Sequence, residues 1–419
     1  MDRPATLDGW LLFITNHFTH PVREAQGASP RYHLARAISS KGQRVLVYSP
    51  LGRHVGNPLQ DFFANIRPKR MVDGNTTYLF PPVIASPSSV TTPVTLVMST
   101  LFVIAYLALT RIKVAAQYST TMLVAAVGAV VRSRLKIPLV ANYGDPDFAR
   151  ETGAARRAFG FCEDLVMAKG NSYAVVYVDE VIGRYVRQRY KVGRTLFLPN
   201  GGHEKGSAPL RRDSHEASAL RERLSLRDKR VVIYAGQISA TYRLDILVDS
   251  AKRLRQGFPD IVFLVVGEGP ELRPLRSAVE REGLDENFRF VGTVPYNAMG
   301  PYLACAEIGL QLLSDMCMGT KVLMYMSQGL PVISTGAWYQ QYSEFLKNGE
   351  NVVLIPPVSE RLCEQIARLL ENPKLMRQIG EAGWRAVMPY TWEEHADETL
   401  ALLREAILGQ STAQEPKTG

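Results

Sequence analysis

Residues 319–335 read GTKVLMYMSQGLPVIST: a loop, a short apolar helix, a glycine stop and a buried strand follow one another without a break. Lys321 stands where the helix opens. There its ammonium and the unsatisfied N–H groups of the helix amino end converge on one place, which is what an anion such as a diphosphate requires. The YM stripe has helical spacing, Gly329 supplies the stop, and Leu330 and Pro331 lead into a β-branched run that reads as a strand.

The same alternation runs outward in both directions. Towards the amino end it is carried by LLFIT (11–15), the helical YHLARAISSKG (32–42), RVLVYSP (44–50), VAAQYS (114–119), a helix around 121–133, IPLVANYGD (137–145), AVVYVD (174–179) and TLFLPN (195–200). Residues 201–229 are polar and then helical, as an interdomain connection is. A second series follows: VVIYAGQ (231–237), IVFLVVGEGP (261–270), FRFVGTVP (288–295), IGLQLLS (308–314), LPVIST (330–335) and NVVLIPP (351–357). Strands alternating with helices predict parallel sheets with crossover helices. The expectation is an α/β chain of two doubly wound domains, 1–200 and 201–392, with a final helix and tail over 393–419. Ligands in such sheets bind outside the carboxyl ends of the strands, which makes the cleft between the domains the expected site.

Composition narrows the function. With 419 residues, 46% hydrophobic and 21% charged, the chain is neither a small disulfide scaffold nor disordered nor fibrous. Its four cysteines are far apart and form no CxxC pair, and no HExxH, H-x-H or acidic cluster offers a metal site. MDRPATLDGW lacks the apolar core of a signal peptide, so a cytoplasmic location is expected. The net charge of +9 is uneven: residues 1–200 hold 24 Lys+Arg against 12 Asp+Glu, residues 201–419 hold 25 against 28. The first half therefore faces a membrane, a nucleic acid or a phosphorylated substrate, or is basic for solubility alone. PVTLVMSTLFVIAYLALT (93–110) bears on that choice. It reads as a buried helix, a helix on the membrane surface or a span at the lower length limit, with Arg67, Lys69, Arg70, Arg111, Lys113, Arg132, Arg134 and Lys136 nearby to favour an anionic surface.

Glycines at strand ends let a phosphate approach the backbone, and Gly236, Gly267 and Gly269 recur at two successive strand ends. There is no GxxxxGK[ST], so a P-loop is excluded, and no early GxGxxG, which counts against a dinucleotide oxidoreductase. RYVRQRYKVGR (184–194) mixes basic residues with tyrosines, but its helical spacing between two strands reads as a solvated or membrane-facing helix rather than a nucleic-acid binder. His17 and His20 in TNHFTHP, and His203 and Glu204 past PNG, are weaker candidates in turns and linker.

The 319–335 run closely resembles the nucleotide-binding stretch of GT-B glycosyltransferases, particularly family 4. The resemblance extends in order through the loop at Gly27 ahead of Leu34 to Arg36, Pro199 to Gly201, Tyr234 to Gly236, Val266 to Glu271, Phe290 to Pro295 and Thr391–Trp392. It implies the GT-B fold, two Rossmann-like domains facing each other across a cleft, with the acceptor on the first and a nucleotide sugar on the second. It also implies a metal-independent hexosyltransferase that takes a nucleoside-diphosphate sugar, UDP-sugar favoured, as donor substrate and uses no further cofactor. Carried over, Gly27 approaches the donor phosphate or the acceptor, and Lys321 pairs with the diphosphate. The backbone near Val294 holds the base, while Gly267, Glu268, Gly269 and the 316–324 segment, with Thr320 and Met324, line the donor beside Gly236.

The sequence departs from the family at four positions. Gln237 replaces the arginine after the YAG glycine, and Tyr242 falls on the lysine five residues later, with Arg243 adjacent. The family's two glutamates align with Met316 and Met324, with Asp315 beside the first. Either Arg243 and Asp315 substitute by a one-residue shift, or the chain is a divergent branch, or activity has been lost. Asp145 ends the strand IPLVANYGD and reads either as a helix cap or as the base that takes a proton from an acceptor hydroxyl. In the second reading it resembles the base of membrane-associated glucuronosyltransferases of polysaccharide assembly, and inversion becomes plausible. The expectation is transfer to a lipid-linked or membrane-proximal glycan in polysaccharide, lipopolysaccharide or glycolipid assembly, at the inner face of the membrane. The alternatives are an inactive GT-B scaffold that binds a nucleotide, a glycan or a partner enzyme, and a sugar-nucleotide epimerase on the same architecture.

Overall fold

Runs such as VLVY (45–48), AVVY (174–177) and IVFLVV (261–266) are buried along their whole length, which a sheet covered by helices on both faces allows. In the computed structural model, which describes residues 6–16, 30–50, 67–82, 91–144, 153–168, 170–313, 320–335 and 345–413, they are inner strands of two parallel sheets. The described chain divides into unit 1, up to Asn200 together with the segment from Trp392 onward, and unit 2, Gly201–Thr391.

Unit 1 runs β1 (Trp10–Ile14), α1 (Pro30–Ser40), β2 (Val45–Tyr48), β3 (Lys69–Asp73), β4 (Thr76–Phe80), α2 (Thr91–Thr110), β5 (Val114–Ser119), α3 (Met122–Leu135), β6 (Leu139–Tyr143), α4 (Gly153–Met167), β7 (Ala174–Tyr177), α5 (Glu180–Arg189) and β8 (Thr195–Phe197). Its strand order is β3-β4-β2-β1-β5-β6-β7-β8. The chain leaves β1 towards β2 on one side and returns as β5 on the other, so the topological switch point lies between β1 and β5. The β3–β4 hairpin is the one antiparallel pair in this sheet among the described residues and has no counterpart in the sequence reading. Its signal was local, since the mostly exposed KRMVD and the buried TTYLF flank Gly74–Asn75, with Gly74 at φ +54°.

The apolar segment forms α2, one face of which is packed in the core while the other is exposed. Leu96, Ser99, Val103 and Leu107 recur at helical spacing and face the core, where α3 packs, and the Tyr48 hydroxyl donates to the Ser99 carbonyl at 2.6 Å. Val97, Leu101 and Leu109 lie outward at 62%, 65% and 84% exposure. The basic run near 184–194 enters α5, whose Arg187 pairs with Glu180 at 3.1 Å and donates to the Tyr177 hydroxyl at 2.6 Å.

Unit 2 runs α6 (His215–Arg223), β9 (Arg230–Ala235), α7 (Asp245–Leu254), β10 (Ile261–Val266), α8 (Leu272–Arg281), β11 (Phe288–Gly292), α9 (Gly300–Ala304), β12 (Ile308–Gln311), α10 (Thr320–Ser327), β13 (Val332–Ser334), β14 (Val353–Leu354), α11 (Ser359–Glu371) and α12 (Pro373–Val387). The order β11-β10-β9-β12-β13-β14 is parallel throughout. The last helix, α13 (Trp392–Ala413), belongs to unit 1 and packs on α1, β5 and β6. There the His395 Nδ1–H donates to the Pro199 carbonyl at 2.9 Å, and full burial lowers this histidine to about 4.

Candidate functional site

The carboxyl ends of β9 and β10, the loop after β11 and the amino end of α10 enclose a cavity of about 370 Å³ in unit 2. Gly236, Gln237, Gly267, Glu268, Val294, Thr320, Lys321 and Met324 all line it, so the sequence places most of its donor residues on one wall or another of a single hollow.

Two glycines make the hollow possible. Gly236 has φ +145°, and a Cβ there would collide with the Lys321 side chain; Gly267 has φ +135°, and a Cβ there would collide with the Gly236 carbonyl. The Gly236 N–H donates to Val266 at 2.8 Å and the Gly267 N–H to Gly292 at 2.7 Å, so the three strand ends are laced together beneath the cavity. The Tyr325 hydroxyl accepts from the Ala235 N–H at 2.7 Å and fixes α10 against β9.

Lys321 is the second residue of α10 and is 9% exposed. Its ammonium donates to the Tyr234 hydroxyl oxygen at 3.1 Å, and that hydroxyl in turn donates to the Gln237 carbonyl at 2.6 Å. Nζ also stands 3.3 Å from the ring centroid of Tyr242 and 4.6 Å from that of Tyr234. Tyr242, which occupies the position of a family lysine, therefore supplies a ring face to the remaining lysine in place of a second charge. Burial holds the Lys321 pKa well below its ordinary value. An arriving polyanion reverses that balance by giving the ammonium a partner.

Other expectations fall elsewhere. Arg243 is not among the residues lining this cavity: it grips Asp245 through three bonds of 2.9, 3.1 and 2.7 Å and lines a neighbouring hollow with Asp245 and Glu271. The reason is local, because Asp245 opens α7 two residues later and captures the guanidinium. Gly269 lies below the cavity wall against the Ile238 carbonyl. Gly27, Asp145, Asp315 and Met316 lie outside the described residues, as do His17 and His20. The sequence reading missed Thr293, Tyr296 and Met299, which also line the cavity. Tyr296 donates to the Gly202 carbonyl at 3.1 Å, a contact within unit 2; FVGTVP ends just before it, and no local pattern marks it.

Residues 217–385 match the sequence profile of the family described as Glycosyl transferases group 1. They form a glycosyl transferases group 1 domain. The match covers the cavity, its glycines and Lys321. Beyond it, the chain is 21% identical over 231 residues to alpha-monoglucosyldiacylglycerol synthase of Acholeplasma laidlawii, covering 54% of this chain and 57% of that one. The chain spans about half the length of the curated relatives it matches. Among solved structures, sucrose-phosphate synthase from Thermosynechococcus elongatus superposes with a TM-score of 0.75 at 18% identity, covering 97% of this chain and 100% of that one. HepE from Anabaena, solved with UDP-glucose, gives 0.67 at 16% identity, over 96% and 100%. The fold is GT-B.

Proposed function

We propose that the chain is a glycosyltransferase that moves a sugar from a nucleoside-diphosphate sugar to a lipid-linked or membrane-proximal glycan acceptor, at the inner face of a membrane. The observation that carries the donor half is Lys321, set at a helix amino end in a glycine-floored cavity of the group 1 domain. A departing diphosphate gathers negative charge as the sugar carbon becomes oxocarbenium-like, and a buried cation with oriented N–H groups stabilises that charge without reorganising. Tyr234 and Tyr242 are the positioning residues of this lysine. HepE was solved with UDP-glucose, which supports a UDP-sugar as the donor here.

The acceptor half rests on α2. Its outward face presents Val94, Val97, Met98, Leu101 and Leu109 in a domain with a basic excess, which suits an anionic bilayer surface. The segment Pro93–Thr110 is long and apolar enough to cross a membrane, and only 33% of it is buried by the protein. A relative is named for diacylglycerol glycosylation, which supports a lipid acceptor. Asp145 is kept as the base of the transfer.

Met324 favours one competing reading, an inactive binding protein, because a methionine lines the cavity where a glutamate stands in family 4. The test incubates the full chain with radiolabelled UDP-glucose, UDP-glucuronate and UDP-N-acetylglucosamine and with membrane lipids. Label entering the organic phase, lost in Asp145→Asn and Lys321→Ala, supports transfer. UDP binding without label transfer from any of these donors would establish the binding protein instead. Sedimentation with anionic vesicles, reduced by Leu101→Asp and Leu109→Asp, checks the membrane contact.

A further inference from the structure

A second and larger cavity, about 1440 Å³, lies in unit 2 at the amino ends of the strands, beside the turn that leads from α6 into β9. The six residues of β9 separate it by about 20 Å from the Lys321 cavity at the opposite edge of the sheet. Five arginines line it, Arg211, Arg212, Arg221, Arg227 and Arg377, against two carboxylates, Asp213 and Glu222. This is a concentrated positive field in the half of the chain that holds fewer basic than acidic residues.

The five guanidinium groups have different duties. Arg221 is buried and donates to the carbonyls of Cys305 at 2.6 Å and Lys229 at 2.8 Å, and Arg212 pairs with Glu307, so these two are structural and set the field. Arg211 is 81% exposed at its side chain and is held flat by Asp213, with contacts of 2.8 and 2.7 Å. Arg227 stands 3.7 Å from Glu222, too long for a hydrogen bond. Arg377 reaches in from α12 and has no ion pair or hydrogen bond among the described residues. Three guanidinium groups, one from α12 and two from the segments flanking α6, thus reach one hollow; Asp213 takes the Nε–Nη2 edge of Arg211 and leaves its Nη1 side, while Arg377 offers its whole fork. A guanidinium fork matches the oxygens of a phosphate. A single phosphate does not span a cavity of this size, whereas several joined phosphates do.

We propose that this basic cavity is a second anion site, separate from the Lys321 cavity, and that it takes a soluble small molecule carrying several phosphate groups. The proposal does not depend on the catalytic reading, since it concerns binding at the other edge of the sheet.

The experiment titrates inorganic tripolyphosphate into the full chain and its Lys321→Ala variant by calorimetry at about 0.1 M salt, and the arginine variants and their parent are compared in the Lys321→Ala background so that the diphosphate cavity does not contribute. Lys321→Ala is expected to keep this binding. The double variant Arg211→Ala/Arg377→Ala is expected to lose about tenfold or more in affinity, the loss of charge-assisted bonds from exposed side chains that carry no part of the core. Arg377→Lys, which keeps the charge and loses the fork, is expected to fall between. Equal affinity in the double variant and the parent overturns the proposal, as does abolition by Lys321→Ala. So does capture of the chain by phosphoinositide vesicles through the same arginines with no binding of free tripolyphosphate, which would assign the site to a lipid.

Discussion

The carboxyl edges of the two sheets are built alike and equipped differently. In unit 2 the strand ends turn on glycines and surround a buried lysine. In unit 1 the edge around the β1–β5 switch point carries hydroxyls and amides instead. Thr15 and Thr120 meet through their Oγ1 atoms at 3.0 Å, and Asn142 donates to the Tyr118 hydroxyl at 2.7 Å. The Oδ1 of Asn142, the Oγ of Ser119 and the Oγ1 of Thr121 are buried without a partner among the described residues. The same α/β frame thus carries glycine turns around a buried lysine in one unit and buried hydroxyls and amides in the other, a division that follows from side chains and not from topology.

Removing the cation should break the contrast most sharply. Lys321→Ala is expected to lower turnover about 10³-fold, or about 4 kcal/mol of charge stabilisation, in a transfer assay, and to leave acceptor binding unchanged. Acid should act on unit 1 first. His395 is held neutral in the fold at about 4 against 6.5 in the unfolded chain, so the unfolded state takes up the proton first as pH falls. Stability is therefore complete above about pH 6.5 and falls by about 3 kcal/mol on reaching pH 4, a slope that His395→Gln should flatten in chemical denaturation.

The ring that supports Lys321 comes next. Tyr242→Leu should weaken diphosphate binding by about tenfold while Tyr242→Phe stays near the parent, because the face and not the hydroxyl contacts the ammonium. The sign of the pH effect follows from burial. Free Lys321 has a pKa lowered by burial and diphosphate raises it, so binding takes up protons and weakens as pH rises through the lowered pKa of the free lysine. Calorimetry in buffers of different ionisation enthalpy reads that uptake directly. The smallest effect is expected at the other edge, where Asn142→Leu should raise the acceptor KM by about fivefold, the value of one hydrogen bond, without changing donor affinity.

The contrast also explains what the sequence disclosed. In unit 2 the site is assembled from short runs around Gly236, Gly267 and Lys321, each a local turn or helix start, so the residues that meet are recognisable one motif at a time. The charge of Arg243 does not by itself disclose its place, because Asp245 two residues on decides where the guanidinium goes. Tyr242 is legible as a departure from a family pattern, but its contact with Lys321 depends on the fold of two distant segments. In unit 1 the polar edge draws single residues from β1, β5 and β6, and no run of sequence carries their proximity. The half-buried state of α2 was equally hidden, since an apolar stripe does not say how many of its faces find partners.

The most direct test of the account is a titration of UDP into the full chain and its Lys321→Ala and Asn142→Leu variants. Saturable binding is expected in the parent, with about 100-fold weaker binding in Lys321→Ala and an unchanged affinity in Asn142→Leu. UDP binding that survives the loss of Lys321, or that falls with Asn142, would contradict the assignment of the phosphate to unit 2.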